Sequence, residues 1–170
     1  MNNVNTSLTL RETSLDLLAP VVRNAAIVAL ANANADGHTV KCFESYRSPQ
    51  RQNYLYAQGR TAPGAKVTNA KAWQSFHQYS LALDVVFWVG GAWSWDKSFP
   101  WDRVAQYFLN EGFERLSFER PHFQMTGGFS TTQAYDISQK QGMQALWLLV
   151  EKSHDAKFQS SLARNLSSKV

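Results

Sequence analysis

One stretch constrains this chain more than any other: Leu81 to Val89 is apolar except for Asp84, and Gly90-Gly91 follows at once. A short apolar run ended by a turn pair reads as a strand. Two glycines supply the positive-φ backbone of a tight hairpin, so Ala92–Trp95 is expected to fold back beside it. His38 to Glu44 alternates as another strand, and Phe113–Phe118 and Pro121–Met125 read as two short ones.

Helical spacing fills the intervals. Residues 14–35 carry Leu15, Leu18, Val22, Ala25, Ala26 and Leu30 on one face, with Ser14 as cap and Pro20 as a kink or a later start. Ser48-Pro49 opens a helix to about Gln58, and Pro100–Asn110 forms one closed by Gly112. Thr131 to about Glu151 forms the last, interrupted at Gly142, with Met143, Leu146, Trp147 and Val150 as its buried stripe. Residues 59–76 read as an extended loop. Helices mixed with hairpin-linked strands specify an α+β class: a small antiparallel sheet flanked by helices.

Length and composition bound the rest. The 170 residues suit one domain over 1–170, with a core of about 10–150 and a polar tail from about 153 to 170. With 44% hydrophobic and 18% charged residues, the chain is no disordered polyelectrolyte. A net charge of +4 favours anionic surroundings, but no dense Lys/Arg run supports a nucleic-acid partner. Cys42 is the only cysteine, so no intrachain disulfide is possible, and its strand setting reads as a small buried hydrophobe. Met1–Thr6 lacks a basic region followed by an apolar one, so no signal peptide is expected. Apolar stretches are too short for stable membrane insertion, and a monomer is expected.

Chemistry concentrates around two of the four histidines. The segments are Ser75-Phe76-His77-Gln78-Tyr79-Ser80-Leu81-Ala82-Leu83-Asp84 and Glu119-Arg120-Pro121-His122-Phe123-Gln124. Catalytic zinc takes three His or carboxylate ligands and leaves a position open. His77 at the entry of a strand, Asp84 pointing inward from it and His122 on a neighbouring strand can converge as such a set. The metal lowers the pKa of a water and polarises a scissile carbonyl, and a base must take the proton. Glu119, three residues before His122, is the candidate base. Spacing alone leaves ordinary polar residues as the alternative, because a lone His or Asp is more often a surface or hydrogen-bonded residue.

These segments resemble the zinc peptidases that group D-Ala-D-Ala carboxypeptidases with L-alanyl-D-glutamate endopeptidases, including phage endolysins. The family pattern is Ser-x-His-x-x-Gly-x-Ala-x-Asp, then an acid, two residues and His. Ser75, His77, Ala82 and Asp84 match the first part, and Glu119 and His122 the second. A third segment, Ser45-Tyr46-Arg47-Ser48-Pro49-Gln50-Arg51-Gln52 with Leu55-Tyr56, resembles the family's Tyr-Arg-Ser…Gln…Leu-Tyr stretch. The Pro63–Ala70 loop looks like the endopeptidase branch. The match covers roughly residues 10–150.

The resemblance implies the hedgehog/D-Ala-D-Ala peptidase-like fold with one Zn2+ per chain on the sheet. It implies His77, Asp84 and His122 as ligands, Glu119 as base, and Arg47 as a partner for a substrate carboxylate or oxyanion. Ser75 and Gln52 become substrate-contact candidates, with an orienting role for Ser75 and a buried structural amide for Gln52 as the alternatives. The expected partner is peptidoglycan and the expected activity cleavage of its stem peptides, at the L-Ala–D-Glu bond. Removal of terminal D-Ala and an inactive peptidoglycan-binding homologue are the other readings. A protein made in the cytoplasm and acting at the cell wall or periplasm after release or delivery fits this picture. One departure stands out: Ser80 replaces the family's glycine.

The remaining candidates read as structural. His38 is expected in a turn and His154 in the tail. Trp88, Trp93, Trp95 and Trp101 are expected in core and hairpin packing rather than on sugar rings. Asp96 and Asp102 read as turn and helix-start residues rather than a second metal site.

Overall fold

The computed structural model describes residues 8–167, with side chains described through residue 160. Residues Met1–Thr6, on which the leader expectation falls, lie outside it.

The stretch expected as one helix over 14–35 divides at Pro20. Ser14 caps only a 3-10 turn, Leu15–Leu17, its Oγ accepting from the Asp16 amide at 3.2 Å. Helix α1 then runs Pro20–Ala35 with proline in its first turn, where no amide donor is needed. Its inner face is Val22, Ala25, Ala26, Ala29 and Ala33. So many alanines let the helix axis approach its neighbours closely. Helix α2 spans Pro49–Ala57, with Ser48 Oγ accepting from the Arg51 amide at 3.1 Å.

The sheet is antiparallel throughout. Strand β1 is Val40–Glu44, β2 Ala82–Val89, β3 Ala92–Ser94, β4 Glu114–Arg115 and β5 His122–Gln124. Their order is β1-β2-β5-β4, with β3 joined to β2 through the Gly90-Gly91 hairpin. Phe113–Phe118 yields only the two residues of β4. From Leu116 onward the chain turns, and the His122 amide donates to the Glu119 carbonyl at 3.2 Å.

Side chains on β2 alternate between two environments. Leu83, Val85 and Phe87 are buried, and with Phe123 they meet α3, Trp101–Asn110. That helix buries Trp101, Val104, Ala105 and Phe108 at helical spacing, and Phe108 stacks on Phe123 with ring centres 4.2 Å apart. The opposite face carries Asp84 and Val86 along one cavity.

Two helices close the chain. Helix α4 spans Thr131–Gln141, capped by Ser130 and Gln133, and α5 spans Met143–Ser167 after a break at Gly142. The polar tail expected from about 153 is a continuous part of α5 as far as Ser167. Ala156, Lys157 and Gln159 are good helix formers, and Leu146 and Val150 anchor the helix in the core. His154 is therefore no tail residue: its Nε2 meets the Glu111 carbonyl at 3.1 Å, over Gly112, where any Cβ would collide with the imidazole. Among the described residues no helix is long and apolar enough to cross a membrane.

Candidate metal centre and its groove

Register brings the centre together. Asp84 on β2 stands opposite His122 on β5 and opposite Glu44 on β1, so three acid and imidazole groups line up across three adjacent strands. The alignment with Glu44 needs an irregularity. Cys42 pairs with Val85 and Glu44 with Asp84, so Phe43 is an extra residue in a β-bulge. A regular register would set Phe43 opposite Asp84 instead.

His77 arrives from a different element, the 3-10 turn Phe76–Tyr79 that leads into β2. Ser75 caps this turn. Its side chain accepts from the turn's first amides, while Gln78 Oε1 reaches back to the Ser75 amide at 3.2 Å. This reciprocal cap fixes the turn. The turn closes on Ser80, at φ 60° and ψ 26°, in the left-handed region. Serine therefore adopts the backbone that the resemblance assigns to glycine, and the loop joining His77 to Asp84 keeps its shape at a cost of about 1 kcal/mol or somewhat more. The Ser80 carbonyl accepts from the Ala19 amide at 2.9 Å, tying the turn to α1.

The imidazoles are each anchored through one nitrogen. His77 Nδ1 lies 2.6 Å from the Ser45 carbonyl, which only an N–H can satisfy, so Nε2 is the nitrogen left to face Asp84. That Nε2 lies 3.3 Å from Asp84 Oδ1. His122 is arranged the other way round: Nε2 lies 3.0 Å from Gln124 Oε1, and Nδ1 lies 3.2 Å from the same Asp84 oxygen. His77 Nε2, His122 Nδ1 and an Asp84 oxygen form a group able to hold a metal ion, all within 4.8 Å of one another.

Asp84 divides its oxygens. Oδ1 faces the imidazoles, and Oδ2 accepts from Arg47 Nη2 at 3.1 Å. Burial pushes this carboxyl up, but His77, His122 and Arg47 outweigh burial and hold it well below the usual range. It is ionised at any neutral pH. His122 is also pushed down by burial, yet Asp84, Gln124 and the charge of Glu119 raise it above its ordinary value.

Arg47 is an internal hub. Its Nε and Nη2 donate to Glu44 Oε2 at 3.0 and 2.6 Å, and Nη1 donates to Gln52 Oε1 at 3.0 Å. Arg51 Nε donates to the other Glu44 oxygen at 2.5 Å. With the Asp84 contact, four of the five guanidinium donors serve the protein. Arg47 thus forms an ion pair that orients a metal-ligand candidate, and one edge of it lines the groove. Gln52 is the buried structural amide, the second of its two expected roles. It is fully buried, accepts from Arg47 and Gln78, and donates to Thr68 Oγ1 and the Ala70 carbonyl, leaving nothing for a substrate.

Two chambers flank the centre. One, about 500 Å³, is lined by His77, His122, Gln124, Ser75 and Lys66; the other, about 480 Å³, by Asp84, Tyr54, Arg11 and Trp95. Arg47, Val67, Thr68 and Glu119 border both. Glu119, half-buried on the turn before β5, therefore stands at the junction, and its charge acts on both His122 and Arg47.

The other titratable candidates lie apart. Burial, reinforced by Asp84 and Glu44, pushes the Cys42 thiol far up, so it is no nucleophile. Asp96 closes a turn onto Ser98 at 2.8 Å, and Asp102 pairs with Arg115 at 2.7 Å. His38 sits between α1 and β1, beside Tyr107. Sequence reasoning missed Glu44, Gln78, Gln124 and the Ser45 carbonyl. Two of these had a signal. Ser75-x-x-Gln78 is a capping-box spacing, and Gln124 lies two residues from His122, hence on the same strand face.

Comparison with known proteins gives a consistent picture. No family model matches the chain. It is 32% identical over 122 residues to the peptidoglycan L-alanyl-D-glutamate endopeptidase CwlK of Bacillus subtilis (strain 168), an alignment covering 64% of this chain and 73% of that one. Among solved structures, the LD-carboxypeptidase LdcB superposes with a TM-score of 0.53 at 19% identity, over 85% of this chain and 73% of the other, a likeness of fold. The L-Ala D-Glu endopeptidase ChiX of Serratia marcescens superposes at 0.48 and 22% identity, over 69% and 94%.

Proposed function

Because the chain belongs to the peptidoglycan L-alanyl-D-glutamate endopeptidase family, we propose that it hydrolyses the L-Ala–D-Glu bond of peptidoglycan stem peptides, using one zinc ion held by His77, Asp84 and His122. One observation carries this reading: two imidazoles anchored through their far nitrogens and an ionised carboxylate meet at the junction of two open chambers.

The donor set suits zinc. Zinc bonds of about 2.0–2.1 Å in a tetrahedron imply ligand-to-ligand edges of about 3.3–3.4 Å. Asp84 Oδ1 lies 3.3 Å from His77 Nε2 and 3.2 Å from His122 Nδ1. Both imidazoles turn one nitrogen inward and anchor the far one on a carbonyl or amide oxygen, as ligating histidines do. When bound, the ion activates a water for attack and polarises the scissile carbonyl.

The protein's own groups do the rest. Glu119 takes the proton of the attacking water and returns it to the departing D-Glu nitrogen as the C–N bond breaks. Arg47 keeps Asp84 charged and aimed. The Ser75–Gln78 cap holds the His77 turn. A groove open on both sides of the centre admits a chain running through it, as an endopeptidase requires, whereas removal of a terminal D-Ala needs only one chamber.

Digestion of purified peptidoglycan, with mass spectrometry of the new termini, tests the reading. Fragments beginning at D-Glu are expected, and free D-Ala as sole product refutes the bond assignment. Glu119→Ala is expected to bind one zinc per chain, measured by plasma mass spectrometry, yet to release no fragments. Retained hydrolysis removes Glu119 as the base.

A further inference from the structure

Of the four tryptophans expected in core and hairpin packing, Trp101 is in the core and Trp88 and Trp93 pack on each other across the hairpin, but Trp95 stands out from both. Only Trp101 is buried among the four; Trp88 and Trp93 are half-buried, and Trp95 is 48% exposed. Trp93 and Trp95 both stand edge-on to Phe43, with ring centres 5.2 and 4.9 Å away. Phe43 is the bulge residue beside Glu44, and its other contact is the Arg11 guanidinium, 4.0 Å above the ring. The β-bulge that aligns Glu44 with Asp84 thus also places Phe43 under Trp95. Trp95, Phe43 and Tyr54 wall the chamber that touches Asp84.

We propose that this chamber is the subsite for the N-acetylmuramoyl sugar, so that the substrate lies with its glycan end towards Trp95 and its peptide end towards Lys66. The inference rests on the L-Ala–D-Glu reading. In that substrate a single residue, L-Ala, separates the scissile bond from the lactyl group of the sugar. One extended residue spans about 3.6 Å at most. The sugar must therefore occupy a chamber directly beside the metal centre. A pyranose has an apolar C–H face and polar edges, which matches a broad, exposed indole with Tyr54 and Arg11 nearby. The opposite chamber offers Phe118 as an apolar wall but surrounds it with Lys66, Asn69, Gln74 and Ser75. These groups suit the carboxylates and amides of the peptide beyond D-Glu.

The test uses the zinc-loaded protein and two substrates, an N-acetylmuramoyl stem peptide and the same peptide without sugar. Trp95→Ala is expected to lower kcat/KM on the sugar-bearing substrate by about five- to tenfold and to leave the sugar-free peptide within about twofold. Equal loss on both substrates, or loss on neither, overturns the proposal. A second arm does not depend on turnover. N-acetylmuramoyl-L-alanine is expected to shift the Trp95 indole N–H resonance, assigned through Trp95→Phe, and an unmoved resonance overturns the subsite. If wild-type protein leaves the L-Ala–D-Glu bond intact, the activity reading falls by itself, and the resonance still decides whether the chamber takes the sugar.

Discussion

Replacing Glu44 by glutamine removes one charge and no volume from a buried carboxylate that accepts three bonds. Glu44 is 2% exposed, and Arg47 and Arg51 are 8% and 6% exposed. Three short charge-assisted bonds, at 2.6, 3.0 and 2.5 Å, join them. A glutamine keeps one acceptor oxygen and turns its amide N–H groups towards the other guanidinium, setting donor against donor. Of the two buried cations, only Arg47 then keeps a carboxylate partner, Asp84. Breaking a buried ion pair from one side costs about 3–5 kcal/mol. The lower end applies, because Arg47 retains Asp84 and Gln52, and Arg51 retains the Leu8 carbonyl at 2.6 Å. About 3 kcal/mol corresponds to a fall in Tm of roughly 6–12 °C for a chain of this size. Thermal melts and urea titrations of Glu44→Gln against wild type, both metal-free, measure it. A change below about 0.5 kcal/mol would refute the reasoning, because it would mean that water already reaches and neutralises the network.

Three further outcomes follow from the centre. Gln124→Leu is expected to weaken zinc binding by about ten- to a hundredfold in chelator competition, because His122 loses the acceptor that fixes its tautomer. Ser80→Gly is expected to raise stability by about 0.5–1 kcal/mol, since relief of the left-handed backbone exceeds the entropy that glycine adds to the unfolded chain; an unchanged or lowered Tm contradicts this. In metal-free protein, His122 is raised above its ordinary value, so its stabilisation is complete below about pH 6.5 and is lost as pH climbs through the folded value. Zinc competes with that same proton. The metal-free Tm is thus expected to fall as pH rises above about 6.5 while the stabilisation added by zinc grows, and parallel pH profiles for both forms would contradict the assignment.

The sequence determined the elements whose causes are local. Ser48-Pro49, Gly90-Gly91 and the spacing Trp101, Val104, Ala105, Phe108 carry their own caps, turn and stripe, and each stands where those signals put it. It also supplied His77, Asp84 and His122, through an ordered motif that spacing alone would not have distinguished from chance. Pro20 proved to be the later start its position allowed, since it needs no amide there, and burial of Leu146 and Val150 carries helix on beyond Ser153. What the tertiary structure alone decided is how the residues are employed. Arg47 and Gln52 look like substrate contacts in one dimension. In three, the bulge at Phe43 sets Glu44 opposite Asp84, four of the five Arg47 donors serve the protein, and both Gln52 donors are taken. A sequence names the groups able to bond; strand register, a property of distant segments meeting, settles which partners they find.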